Sequence, residues 1–234
     1  MSYNTAMFYL GCAVWAYKDW VGDLFPAGSR SADFLRLYSR RLTTVEGNTT
    51  FYALPSPEMV ARWVAETPES FRFCLKLPRT ISHEGPLVQQ LATTEIFLNR
   101  VAPLGPRLGP CFLQLPPGYG PAQRGDLARW LAAWPQQYQL SVEVRHPDWY
   151  EPAGAALLME LLERYGVGRV VMDVRPIRQP DEPDIEAVLG ARNRKPVVPN
   201  LALSGHSALA TQCRRSLGPA ATSPPGLDWA DPHP

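Results

Sequence analysis

The sequence of 234 residues contains no CxxC pair, no glycine-rich loop after its first apolar run and no HxH or HExxH spacing. Each absence removes a class. Cys12, Cys74, Cys111 and Cys213 are too scattered for a zinc ribbon or a redox pair, and Cys74 and Cys111 lie inside apolar runs. They read as buried, reduced thiols of a cytoplasmic protein. The first apolar run leads into GCAVWAY rather than GxGxxG, which disfavours a dinucleotide-binding sheet. Charge of one sign is not in excess: the net charge is +1 and the pI about 7.7. That is not the balance of a typical nucleic-acid binder, so nucleic acid is not an expected partner. The opening MSYNTAMFYLGCAVWAYKDW has no basic start or cleavage pattern, and Lys18 and Asp19 cut its apolar stretch too short for a membrane span.

What is present is a core's worth of apolar residues, 45% of the chain, arranged as short runs alternating with longer amphipathic segments. Strands are expected near 7–12, 43–48, 71–77, 110–115, 139–145 and 168–173. Helices are expected near 30–41, 57–66, 88–101, 122–133 and 153–165. Ser56-Pro57-Glu58 has the form of a helix start, with a capping hydroxyl, a first-turn proline and an acidic first turn. Pro121 and Pro152 can begin helices in the same way, and Gly166 can end one. Strand–helix alternation at this spacing points to βαβ units and a parallel sheet.

Aromatics are scarce beyond residue 165, where Trp229 is the last of 24. The phrase RRSLGPAATSPPGLDWADPHP has neither strand nor helix periodicity. Residues 1–192 therefore read as one α/β domain and 193–234 as an irregular or disordered tail rich in Pro, Ser, Ala and Arg. Six strands are too few for a closed eight-stranded barrel, so a barrel would be incomplete as written.

Side chains alternate between strand faces. Phe71, Phe73, Leu75 and Leu77 oppose Arg72, Cys74 and Lys76; Leu140, Val142 and Val144 oppose Ser141, Glu143 and Arg145. Thr44, Glu46 and Asn48 share a face, as do Phe112 with Gln114 and Val171 with Asp173. In a parallel sheet this gathers Glu46, Asn48, Lys76, Gln114, Glu143, Arg145 and Asp173 at one mouth, the end where parallel α/β barrels carry their sites. An interior salt-bridge network would leave the same pattern.

The candidate catalytic groups are Glu46, Lys76, Glu143 and Asp173. Glu46 or Glu143 can act as a general base, and Lys76 or Arg145 can polarise a carbonyl or hold an anion. Asn48, Gln114, Arg145, His146 and His83 are candidate ligand contacts. Trp15, Tyr17, Tyr52 and Trp149 are candidate flat walls for a sugar ring. The ligand is expected to be small and anionic or a polyol. No cofactor is required; if a divalent metal binds, Glu46, Glu143 and Asp173 are its ligands. Glu46 with Glu143 would also suit glycoside cleavage at the right separation. A Schiff-base role for Lys76 is ranked low, because nearby carboxylates raise an amine's pKa.

Five stretches carry a family resemblance: GCAVWAYKDWVGDLFP (11–26), TTVEGNTTFYALPSPE (43–58), FRFCLKLPRTISHE (71–84), GPCFLQLPPGYGP (109–121) and LSVEVRHPDWY (140–150). A weaker sixth is VVMDVRP (170–176). In order and spacing they resemble the YecE-like proteins, domain of unknown function 72. The resemblance implies a TIM-type (β/α) barrel related by fold to sugar isomerases, and no established reaction. Sugar-isomerase-like or lyase-like acid/base chemistry is then the leading expectation. A non-catalytic binding module or an inactive truncated copy is the alternative, with a metal-dependent nuclease behind it. Family members continue through two further strands, and the match is expected to stop near Val198, as a truncation or frame change would produce.

Overall fold

The computed structural model describes residues 8–171 and the short segment Leu201–Ala202. It is an α/β fold of parallel strands in chain order. β1 (Gly11–Cys12), β2 (Thr44–Gly47) and β3 (Arg72–Leu75) form one ladder; β4 (Cys111–Gln114), β5 (Leu140–Glu143), β6 (Gly168–Val171) and β7 (Leu201–Ala202) form a second. Lys76 and Phe112 bridge the two, and Leu77 N–H donates to Phe112 O at 2.9 Å. All six expected strands are present. β7 falls in the segment read as irregular, and the rest of that tail lies outside the described residues. Among the described residues β1 pairs only with β2, and β7 only with β6, so a closed barrel is not formed there.

The helices follow the sequence pattern. α1 (Phe34–Tyr38) precedes β2; α2 (Thr49–Tyr52) and α3 (Pro57–Glu66) follow it. α4 (Arg79–Ser82) and α5 (Leu91–Val101) lie between β3 and β4, α6 (Arg124–Ala133) between β4 and β5, and α7 (Pro152–Tyr165) between β5 and β6. Ser56 Oγ accepts the Met59 N–H at 3.2 Å, so the expected N-terminal cap of α3 is made. Gly166 ends α7 at φ 64°, a left-handed conformation that glycine adopts without a Cβ clash. None of the helices is long and apolar enough to cross a membrane among the described residues.

The strands are two-faced. Val45, Phe73, Leu75, Cys111, Leu113, Leu140 and Val142 join one apolar cluster with Trp63, Phe97, Val101, Leu127, Trp130 and Leu158 from the helices. Full burial of each such side chain contributes about 1.5–3 kcal/mol. Cys74, Phe112 and Val170 are buried outside that cluster, on the face that carries Lys76 and Glu143. The register pairs Ser141 with Gly168, so Gly168 and Val170 share the face of Glu143 while Arg169 and Val171 take the other. Grouping Val171 with the mouth-facing polar residues is thus corrected by one residue of register. Cys12, Cys74 and Cys111 are free and buried, as expected; burial pushes the Cys74 thiol up to about 11. Cys213 lies outside the described residues.

Tyr38 stitches the first two strands together. Its hydroxyl accepts the Cys12 N–H at 2.6 Å and donates to Thr44 O at 3.0 Å. Gly11 makes this approach feasible, because a Cβ there would sit 1.9 Å from Thr44 O. Gly11→Ala is therefore expected to destabilise the fold by about 1–3 kcal/mol through overpacking. A thermal melt checks this, and an unshifted midpoint would show that β1 does not dock on Thr44.

Candidate functional site

Four of the expected residues form one continuous hydrogen-bonded line across β3, β4 and β5. Lys76 Nζ donates to Gln114 Oε1 at 2.8 Å. Gln114 Nε2 donates to Glu143 Oε1 at 2.9 Å. Arg145 Nε donates to the same Glu143 oxygen and forms an ion pair with it. The register explains the line: Lys76 pairs with Phe112 and Gln114 with Glu143, so all three side chains rise on one face within two residues of the strand ends. Glu143 is 3% exposed and Lys76 8%. Arg145 lies further out and is exposed, so it covers the carboxylate from the solvent side.

Lys76 is a buried cation whose direct side-chain acceptor is a neutral amide. No carboxylate of the described residues lies within ion-pair distance of it. Burial pushes its pKa down, more than the charges of Glu143 and Glu46 pull it up, and Arg145 pushes it further down. The expectation that carboxylates would dominate is thus reversed by desolvation. Nζ also lies 4.2 Å from the centre of the Phe51 ring, whose π face stabilises the ammonium. The backbone around Lys76 is held as firmly: its N–H donates to Gly47 O at 3.2 Å. The Thr50 hydroxyl lies 2.6 Å from Lys76 O and 2.8 Å from Gly47 O.

Glu46 is half-buried at the end of β2 and acts on Lys76 through its charge. Asn48 Nδ2 reaches Ala13 O at 3.5 Å, while its Oδ1 is buried without a hydrogen-bond partner among the described residues. His83 follows α4, with Nδ1 2.7 Å from Ser82 Oγ and its ring edge-on to Phe51 at 5.2 Å. Burial, then Lys76 and Arg79, push its pKa down, so the ring is neutral at pH 7. His146 Nδ1 accepts the Asp148 N–H at 3.2 Å, which leaves Nε2 as the ring nitrogen without that partner. The ring lies against Gly120, where a Cβ would sit 3.2 Å from it.

The aromatic walls are mostly elsewhere. Trp149 is completely buried and spends its indole N–H on Tyr119 O at 2.7 Å, so it packs in the interior and offers no open face. Trp15 packs edge-on against Trp63 and Phe73, with the helix-facing layer. Tyr52 is 81% exposed and touches Phe51 edge-on. The ring beside Lys76 is Phe51, which the sequence reading passed over. A period-2 reading of the strands does not reach it, because it sits on the short α2. Asp173 lies outside the described residues. Among the described residues no group of three His, Cys, Asp or Glu side chains can hold a metal ion.

Gln114→Leu removes the acceptor of Lys76 and a donor to Glu143 at once. We expect a loss of about 1–3 kcal/mol, chiefly the cost of leaving the Lys76 ammonium without its acceptor, since Glu143 keeps its pair with Arg145. Urea denaturation reads it, and an unchanged midpoint would show that the amide does not hold this pair.

The chain is similar to known proteins over most of its length. The family model described as "Protein of unknown function DUF72" matches residues 9–215, running past Val198, where the match was expected to stop. The UPF0759 protein YecE of Escherichia coli K12 is 40% identical over 194 residues, covering 82% of this chain and 68% of that protein. The UPF0759 protein YunF of Bacillus subtilis 168 is 26% identical over 154 residues, or 62% of this chain and 53% of that one. Two crystal structures share the fold. A DUF72 protein of Enterococcus faecalis V583 superposes with a TM-score of 0.64 at 23% identity, covering 87% of this chain and 73% of that one. A DUF72 protein of Thermotoga maritima MSB8 gives 0.59 at 26% identity, covering 73% and 66%. With its model matched over most of the sequence and a relative 40% identical, this chain belongs to the DUF72 family.

Proposed function

We propose that this chain builds a TIM-type (β/α) barrel related to sugar isomerases, and that its strand-end mouth acts on a small anionic or polyhydroxylated metabolite by acid/base chemistry. The observation that carries the reading is the Lys76–Gln114–Glu143–Arg145 line. Glu143 takes two hydrogen bonds on Oε1, and none among the described residues reaches Oε2. That oxygen is the base, able to take a proton from carbon or hydroxyl. Lys76 and Arg145 flank it and stabilise the negative charge that develops on an enolate or alkoxide oxygen. Glu46 balances the cations, Asn48 Oδ1 accepts from a ligand hydroxyl, and His83 and His146 exchange protons or orient hydroxyls. Asp173 is proposed for the set only as a carboxylate that follows the end of β6 in sequence. The consecutive parallel order of the strands supports the barrel. The site is proposed to work in the cytoplasm, without a metal.

A second reading has support in the same ion pair. Arg145 neutralises Glu143, as a binding module that only holds an anion would also require.

Two measurements separate them. Inorganic phosphate and a panel of sugar and polyol monophosphates are expected to raise the melting temperature, with or without a chelator. Arg145→Ala weakens that binding at least tenfold, about 1.4 kcal/mol. A ligand that binds should also take up deuterium from D2O at the carbon next to its carbonyl, seen by NMR. Glu143→Gln should stop the exchange with affinity largely kept. Binding without exchange favours the module; no stabilisation by any compound sinks both.

A further inference from the structure

Of the 23 Lys and Arg residues, only Lys18, Lys76 and Lys195 are lysines. A chain that meets its need for cations almost wholly with arginine places a lysine at the buried centre of its mouth. Guanidinium would serve as well for holding an anion, and better for pairing with a carboxylate. What an amine can do and a guanidinium cannot is lose its proton near neutrality and attack carbon.

The surroundings of Lys76 fit that use. Lys76 is 8% exposed as a residue, and its amine meets a neutral acceptor, Gln114 Oε1 at 2.8 Å, and the Phe51 ring, with no carboxylate of the described residues in ion-pair contact. A direct carboxylate partner would fix the ammonium; an amide accepts from the ammonium more strongly than from the free amine but can accept from both. The backbone is clamped on both sides by Gly47 O and Thr50, so the amine's root does not drift. Glu143 lies one amide away, on the same strand face.

We infer that Lys76 forms an imine with an aldehyde or ketone substrate, a hydroxyaldehyde or hydroxyketone being the class that the surrounding polar groups suit. The step balances simply. The ammonium gives one proton to solvent, the free amine adds to the carbonyl carbon, and the resulting hydroxyl leaves as water once protonated. No oxidant or reductant is consumed. The iminium then draws electron density from the neighbouring C–H, the bond Glu143 is proposed to break. Burial, which pushes the amine's pKa down, supports the first proton loss. The inference rests on the acid/base reading of the mouth and adds a covalent role to it.

The test is reductive trapping. The full chain is incubated at pH 7 with glycolaldehyde, dihydroxyacetone or dihydroxyacetone phosphate, each with cyanoborohydride, and digested for peptide mass spectrometry. Cyanoborohydride supplies the hydride that turns the imine into a stable secondary amine. Lys18 is exposed and serves as the internal reference for unspecific labelling. The expected result is an adduct on Lys76 at least tenfold above that on Lys18 for one of the probes, lost when inorganic phosphate or another ligand occupies the mouth. Equal labelling of the two lysines, or labelling of Lys18 alone, overturns the inference. Comparison within one wild-type molecule keeps the test valid even where Lys76→Arg fails to fold. If a probe raises the melting temperature and exchanges deuterium without trapping on Lys76, the imine falls and the acid/base site stands. If no probe binds or exchanges, both fall.

Discussion

Everything at the mouth depends on how one buried ammonium, Lys76, is satisfied. A charge taken from water must find hydrogen bonds or give up its proton. Here the first acceptor is Gln114, and Gln114 reaches Lys76 only because β3 and β4 are in register across the seam between the two ladders. The same seam carries the Leu77 N–H to Phe112 O bond, so the backbone that joins the ladders also sets the distance between amine and amide. A slip of one residue would turn Lys76 into the apolar layer and bring Leu75 or Leu77 to the mouth. The cost of misplacing this charge therefore helps fix the sheet, while the apolar layer on the other face drives its formation.

The two faces share the labour unequally. On the helix side, Phe73, Leu113 and Val142 pack against Trp63, Phe97 and Trp130, and the gain comes from area removed from water. On the mouth side, Cys74, Phe112 and Val170 fill the floor, and the polar groups occupy the rim. Glycine relieves crowding where strands meet: at Gly168 a Cβ would sit 2.6 Å from Ser141 Oγ. The floor excludes water from below, which strengthens each electrostatic interaction above it.

Long periodic segments were legible in the sequence, and short ones were not. The six strands, the span of α3 and its Ser56 cap follow from alternation and from capping chemistry that local sequence carries. The shared face of Lys76, Gln114 and Glu143 follows from period-2 counting. α2 and α4 have four residues each, too few to show a 3.6-residue period, and they are what bring Phe51 and His83 to Lys76. Trp15 and Trp149 followed strand ends as mouth residues would. Which way a loop tryptophan turns, however, is decided by packing partners such as Trp63 and the Tyr119 carbonyl, distant in sequence. The pKa direction of Lys76 was misjudged for a related reason: neighbouring charges can be counted in a sequence, whereas burial cannot. Asp173 and most of the tail lie outside the described residues.

The amide of Gln114 keeps the two charges of Lys76 and Glu143 from pairing directly. Had Lys76 and Glu143 met directly, each would have held the other in its ionised form. Gln114 keeps them in one hydrogen-bonded line while leaving each its own balance: Arg145 compensates Glu143, and Glu46 acts on Lys76 through its charge. Among the described residues Oε2 of Glu143 takes no hydrogen bond, and burial lowers the pKa of the Lys76 amine. Separating Lys76 from Glu143 with a neutral side chain forgoes part of their attraction, and Arg145 makes the direct pair with the carboxylate in its place.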